Sequence, residues 1–451
     1  MPRTRRQQRL IDILNQNTSQ PIYRLSPELI LEIFLHGRPD IFKVDTCYRA
    51  TWVELVRYLA HITSITGHLR RIALGCGGLW SVVGFRVGES HVDDHYKRAL
   101  IVMEAFLERA QRCNLHFYFC GGDSAPSWFH SRLLALIMPH IGQARTIQIC
   151  AINDWKQFCV ILNNAVNINN LSLTMAKPIR PNFTPPLNVL RNLKELTLSR
   201  IVYDESFHEI MGQVEKLDLT FVDTDLRKWL GSLVQLKWLR IRTFDYAELG
   251  STDANFLARL ESLAYLDVSL WTYQSIAPQL SLPYLRHLNL QTPGPDPPLE
   301  PQYYHFPLLR TLRIRLVLGL LPVVMNPQLE YLEIAFPGSE VMTYLSELLS
   351  NPSQGFTPPS GATTFPGPSL KYLRVIYTYT GHYDVPYEGP LWEQLGSILT
   401  KAPHLKLDVV ARRFPPGFEG LMKWCPSRVK HYQRVYIPLD ELYERAQKDY
   451  E

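Results

Sequence analysis

From Leu193 onward one spacing of apolar residues keeps returning: an apolar residue, two of any kind, an apolar, one of any kind, an apolar. It reads Leu193/Leu196/Leu198, Val214/Leu217/Leu219, Leu236/Leu239/Ile241, Leu263/Leu266/Val268 and Leu285/Leu288/Leu290. It continues as Leu309/Leu312/Ile314, Leu329/Leu332/Ile334 and Leu370/Leu373/Val375. All steps but the last, from Leu332 to Leu373, lie in or near a period of about 20–29 residues. A short strand turns alternate residues inward, and the segment behind it returns the chain to start the next strand. One such unit cannot bury its apolar side alone, so stacked neighbours must share one elongated core.

The chain upstream is less regular. Ser26 is a good helix N-cap, Pro27 suits the first helical position, and Leu29, Ile30, Ile33 and Phe34 then fall on one helical face. An apolar helical stretch follows around Trp52–Ile62. Residues 96–110 carry a helical stripe through Leu100, Met103, Phe106 and Leu107, and Asn114–Phe119 alternates as a strand with Leu115, Phe117 and Phe119 on one face. Helices are expected at Trp128–Met138 and Trp155–Val166, and strands at Arg145–Cys150 and Asn169–Leu173. These pairs read as irregular early repeats, their helices lining the convex side.

Further on, the proline-rich stretch 292–307 and the Pro/Gly/Ser/Thr-rich stretch 351–368 predict extended loops. The latter, with a helix at Val341–Leu349, accounts for the long step before Leu373. A helix at Leu391–Leu399, a strand at Leu405–Val410, a last strand near Arg434–Ile437 and a charged cap helix over 439–451 complete the prediction.

The period and pattern are similar to those of leucine-rich repeats. The fold class expected is α/β: a solenoid with a curved parallel sheet and convex helices and loops, over 96–438. Residues 1–21 are expected to be a flexible basic leader. Between them, Leu25-Ser26-Pro27-Glu28-Leu29 with Glu32-Ile33-Phe34 resembles the opening of an F-box. Ile65–Leu74, then Leu79-Trp80-Ser81, resembles the closing half of its fungal F-box-like form. Thr66 stands where that family has cysteine, Leu69 where it has tryptophan, and Gly77 or Gly78 where it has proline. The resemblance covers residues 22–82 and implies a small all-α domain. F-box and leucine-rich repeat proteins of this kind are substrate receptors of cullin–RING ubiquitin ligases. By position, Leu25, Pro27, Glu28, Leu29, Ile33 and Phe34 would contact a Skp-type adaptor and, through it, a cullin. The other reading is that these residues close an N-terminal core against Leu69, Ile72, Leu79 and Trp80, in a repeat scaffold without ligase association.

Composition adds limits. A 46% hydrophobic, 20% charged chain of 451 residues is globular, and a net charge of +5 at that length does not mark a nucleic-acid binder. Seven cysteines without framework spacing read as reduced thiols of an intracellular protein, cytoplasmic or nuclear. The leader MPRTRRQQR has no apolar core behind it and is not read as a secretory signal, and Leu316–Met325 is too short to span a membrane.

Candidate chemistry is thin. Gly75-Cys76-Gly77-Gly78 lacks the acidic residue and closing glycine of a cofactor loop. Gly122-Asp123-Ser124 lacks the partner histidine of an esterase. His116 and Cys120 on one strand would lie about 13 Å apart, too far to share a metal ion. No enzyme and no cofactor are expected. What remains is the concave face, carried by the residues between the leucines. There Asp218, Arg240 and Asp267 can neutralise one another, as can Arg313 and Glu333. Arg242 and Arg315 have Ser or Gln neighbours in their row, with no acid beside them. The expected partner-binding face therefore centres on Trp238, Arg240, Arg242, Tyr265, His287, Arg313, Arg315 and Tyr331. Its target would be a protein, acidic or phosphorylated where it binds.

Overall fold

Parallel strands follow one another in chain order within each unit, and the regular repeat strands stand where the apolar alternation puts them. A computed structural model describes residues 21–39, 49–86, 93–120, 126–150, 155–179, 191–201, 212–220, 233–242, 260–269, 281–291, 306–315, 328–335, 370–376, 391–402, 404–410 and 429–432. The chain divides into two compact units, Met1–Leu193 and Lys194–Glu451.

The first unit opens with helix α1 (Pro27–His36), whose N-cap Ser26 accepts a hydrogen bond from the Leu29 amide, with Pro27 at the first position. Helix α2 (Arg49–Ser64) and helix α3 (Gly67–Gly75), capped by Thr66, follow. The 75–78 glycine stretch leads into a single helical turn, α4 (Gly77–Trp80). A Cβ on Gly77 would come within 2.7 Å of the Ala110 carbonyl oxygen, so close packing accounts for that glycine. Leu69, Ala73, Leu79 and Trp80 form the core of this helical group together with Ile30 and Phe34. The Trp80 indole N–H donates to the Ala73 carbonyl at 2.9 Å.

Four parallel strands follow in sequence order: β1 (Val82–Arg86), β2 (Leu115–Cys120), β3 (Ala144–Cys150) and β4 (Asn170–Ile179). Between them run α5 (Asp93–Ala110), α6 (Ser127–Ile137) and α7 (Trp155–Asn164). Strand β1 has no counterpart in the sequence prediction. Gly84 interrupts its apolar run because the Tyr118 backbone and Cβ occupy the space a side chain would need. Strand β2 departs from simple alternation as well, since Tyr118 and Cys120 on its second face are also buried. An aromatic cluster fills the first face, where Phe85 and Phe129 meet edge-on at 5.0 Å and Tyr96 lies 4.8 Å from Phe129.

The second unit is the regular array: β5 (Glu195–Ile201), β6 (Lys216–Thr220), β7 (Trp238–Arg242), β8 (Tyr265–Ser269), β9 (His287–Gln291), β10 (Thr311–Arg315), β11 (Tyr331–Ala335), β12 (Tyr372–Ile376), β13 (Lys406–Val410) and β14 (Val429–Tyr432). Each pairs in parallel with the next. The register is unbroken: Leu196, Leu217, Leu239, Leu266, Leu288, Leu312, Leu332, Leu373 and Leu407 form one row. Each of these leucines is at most 1% exposed, so the row is the core of the unit. Helix α8 (Leu391–Lys401) precedes β13 and buries Leu395, Ile398 and Leu399. The fold is a leucine-rich repeat solenoid. The expected elements at 341–349, 434–437 and 439–451, the loop 351–368, and all but Phe306 and Pro307 of the loop 292–307, lie outside the described residues.

Candidate interaction surfaces

Because each repeat strand alternates, its outward residues stack into rows at ~4.8 Å spacing. The row just before the central leucines begins with Glu195, 3.9 Å from the Lys216 ammonium, which in turn lies 4.9 Å from the Trp238 ring centroid. Trp238 stacks on Tyr265 at 4.8 Å with the ring planes 16° apart, and Tyr265 lies 6.2 Å from the His287 ring. Beyond Thr311, Tyr331 and Tyr372 sit 6.4 Å apart, and Lys406 closes the row 5.1 Å from the Tyr372 ring. The result is an aromatic ladder with a lysine at each end. Trp238 and Tyr372 are half-buried, whereas Tyr265, His287, Thr311 and Tyr331 are buried. Burial, and after it the nearby Arg286 and Arg310 guanidiniums, pushes the His287 imidazole down to about 4.

The row just after the central leucines alternates in charge. Arg240 lies between Asp218 and Asp267, with Nη1 3.4 Å from Asp218 Oδ2 and Nε 3.0 Å from Asp267 Oδ2. Asn289 donates to Asp267 Oδ1 at 2.8 Å. Further along, Arg313 Nε is 2.6 Å from Glu333 Oε1, and Arg374 Nε is 3.7 Å from Glu333 Oε2. All seven residues are at most 8% exposed. Burial raises the Asp218 and Asp267 carboxyls above their ordinary range even against the adjacent arginines, so desolvation outweighs attraction here.

These rows correct part of the sequence expectation. Arg240 and Arg313 are not offered to a partner; they are buried counter-ions in the neutralising sets that their row neighbours permit. Arg242 is not isolated from acids either, because its charge bears on both Asp218 and Asp267. The reason is geometric: a residue two positions along a strand sits diagonally from its row neighbours, about 7–8 Å away, within reach of a long side chain. Tyr265, His287 and Tyr331 are buried in the ladder, leaving Trp238 the accessible aromatic among the expected residues. Arg315 ends β10, and its side chain lies outside the described residues.

Helix α1 presents a different arrangement. Ile30 and Phe34, one turn apart, are buried, whereas Leu29 and Ile33, also one turn apart, are 53% and 47% exposed. The single apolar face expected from sequence is therefore two adjacent lines, one inward and one outward. Pro27 and Glu28 are exposed beside Leu29, and Leu25 is half-buried. The helix is held in place by the Tyr58 hydroxyl, which donates to the Phe34 carbonyl at 2.7 Å, and by Arg38, which donates to the Gly78 carbonyl at 2.8 Å.

His116 meets Thr146 through Nδ1 at 3.0 Å, and among the described residues no three His, Cys, Asp or Glu side chains group as metal ligands. Among the same residues no helix is long and apolar enough to cross a membrane. The 122–124 turn lies outside the described residues.

No known protein family has a model that matches the chain, and no curated protein matches it. Among solved structures it is similar to an internalin from Listeria monocytogenes, at 13% identity over 80% of this chain and 89% of that one, with a TM-score of 0.35. The repeat assignment rests on the unbroken register and the leucine spacing.

Proposed function

We propose that this chain is a non-catalytic substrate-recognition subunit of a Skp-adaptor/cullin/F-box ubiquitin ligase. Helix α1 docks on the adaptor, and the repeats hold a protein target, so that the chain raises the local concentration of target at the ubiquitin-conjugating enzyme. The observation that carries this reading is the outward line of α1. Two large aliphatic side chains, Leu29 and Ile33, stand in solvent one turn apart while the helix is fixed from behind by Ile30 and Phe34. Exposed aliphatic pairs on a rigid helix suit a helix-in-groove or helix-on-helix contact. Such a subunit carries no catalytic residues and no cofactor, and works in the cytoplasm or nucleus.

A second reading, a repeat scaffold without ligase association, draws on the way the N-terminal helices join the first repeats. The His116 amide donates to the Ser81 carbonyl at 2.9 Å, and Trp80 packs edge-on against Phe106 of α5 at 5.1 Å. A group so joined serves as a cap on the β1 end of its sheet. Co-purification of the full chain with a Skp-type adaptor separates the two. Leu29→Asp with Ile33→Asp, at exposed positions, abolishes capture under the ligase reading while circular dichroism stays unchanged. A folded wild-type chain that captures no adaptor leaves the scaffold reading.

A further inference from the structure

The residue directly preceding each strand from β5 to β12 forms a third row, on the rim at the strands' N-terminal ends. In order it reads Lys194, Glu215, Lys237, Ala264, Arg286, Arg310, Glu330, Lys371. Hydrogen bonds from Lys237 to the Glu215 carbonyl, from Arg310 to the Arg286 carbonyl and from Glu330 to the Arg310 carbonyl keep its members in register. Most of the row is compensated. Glu215 takes Lys194 and Lys237 at 2.8 Å each, and Glu330 takes Lys371 at 3.5 Å. The exception is the middle. Arg286 has Ala264 on one side and Arg310 on the other, both arginines are exposed, and neither makes an ion pair among the described residues. Like charges on adjacent strands destabilise a sheet, so this pair is a local cost that the rest of the row avoids.

The same two repeats are alike in another way. Each enters its strand through a proline turn, Leu282-Pro283-Tyr284-Leu285 and Phe306-Pro307-Leu308-Leu309. Each turn is closed by an amide-to-carbonyl bond, of 3.2 Å from Leu285 to Leu282 and 3.1 Å from Leu309 to Phe306. Proline at the second position presets that turn and limits what must be ordered on binding. On it stands Tyr284, 58% exposed, two residues before Arg286.

We infer that Tyr284, Arg286 and Arg310 form a docking surface for an acidic protein segment, whose carboxylates bridge the two guanidiniums while an apolar residue packs on the tyrosine ring. Aromatic and arginine side chains on rigid backbone are the usual anchors of protein contacts. A nucleic acid fits poorly, because its backbone carries a charge at every step, whereas Lys194, Lys237 and Lys371 in this row are already matched by Glu215 and Glu330. The inference does not depend on ligase association, and it moves recognition from the centre of the concave face, which is self-neutralised, to its rim.

The test uses the full chain and a fluorescein-labelled peptide of alternating aspartate, glutamate and leucine, with its asparagine/glutamine counterpart and a labelled single-stranded RNA as further arms. Fluorescence anisotropy should show saturable binding of the acidic peptide alone. Arg286→Glu with Arg310→Glu should weaken it about tenfold or more, and Tyr284→Ala about threefold. The single variant Arg286→Glu should also melt no lower than wild type, because a carboxylate beside Arg310 replaces repulsion by attraction. Equal affinity of wild type and the double variant, tighter binding of RNA than of peptide, or a lowered melting temperature for Arg286→Glu overturns the inference.

Discussion

His287 gives the sharpest test of how the concave face is built. Its imidazole is buried in the aromatic ladder beyond Tyr265, and its folded value is about 4 against an ordinary 6.5. The unfolded chain therefore binds a proton between those limits that the native chain does not, and stability falls as pH drops through the window. The difference of about 2.5 pH units corresponds to about 3 kcal/mol at its fullest, and to about 2 kcal/mol between pH 7 and about pH 4.5. Other groups titrate over the same range, so the quantity to measure is a difference. Urea unfolding of wild type and of His287→Gln, followed at several pH values, should show the wild type losing about 2 kcal/mol more on acidification. Parallel profiles for the two proteins would refute the placement of a neutral imidazole in that ladder.

Two further outcomes follow from the same packing. Arg240→Ala leaves Asp218 and Asp267 buried without their bridging cation and should cost about 3–5 kcal/mol in denaturant unfolding; a loss below about 1 kcal/mol would mean that water reaches the pair. Gly84→Ala drives a Cβ into the Tyr118 carbonyl across the β1–β2 pair and should cost about 1–3 kcal/mol, measured against Gly75→Ala, where nothing lies within 4 Å of the added carbon. Equal stability of those two glycine variants would count against the β1–β2 register.

The repeat strands were legible because a period-two apolar pattern on a period of about 20–29 residues has one economical solution, a stacked parallel sheet. Leu196, Leu217 and Leu239 sit in the row their spacing implies. Strand β1 was hidden because Gly84 breaks its side-chain pattern for a reason located on another strand. On α1 the sequence grouped Leu29, Ile30, Ile33 and Phe34, but residues one position apart are about 100° apart on a helix. Which line turns inward depends on the helices that Phe34 and Arg38 meet. The rim site was missed for a related reason: Arg286 and Arg310 are unremarkable in the chain, and only their adjacency across strands makes them a pair.

The sequence by itself determined the regular repeat strands from β5 to β13, their order and their inward rows, because burying leucines is a local, repeated demand that each repeat states in full. It also supplied the charges that let Arg240 settle between Asp218 and Asp267. Only the tertiary structure decided which charged and aromatic residues remain accessible. Exposure is a property of neighbours, and here the neighbours are about 20–29 residues away along the chain. It closed the centre of the concave face around its own ion pairs and left Trp238, the α1 pair Leu29 and Ile33, and the rim pair Arg286 and Arg310 facing outward.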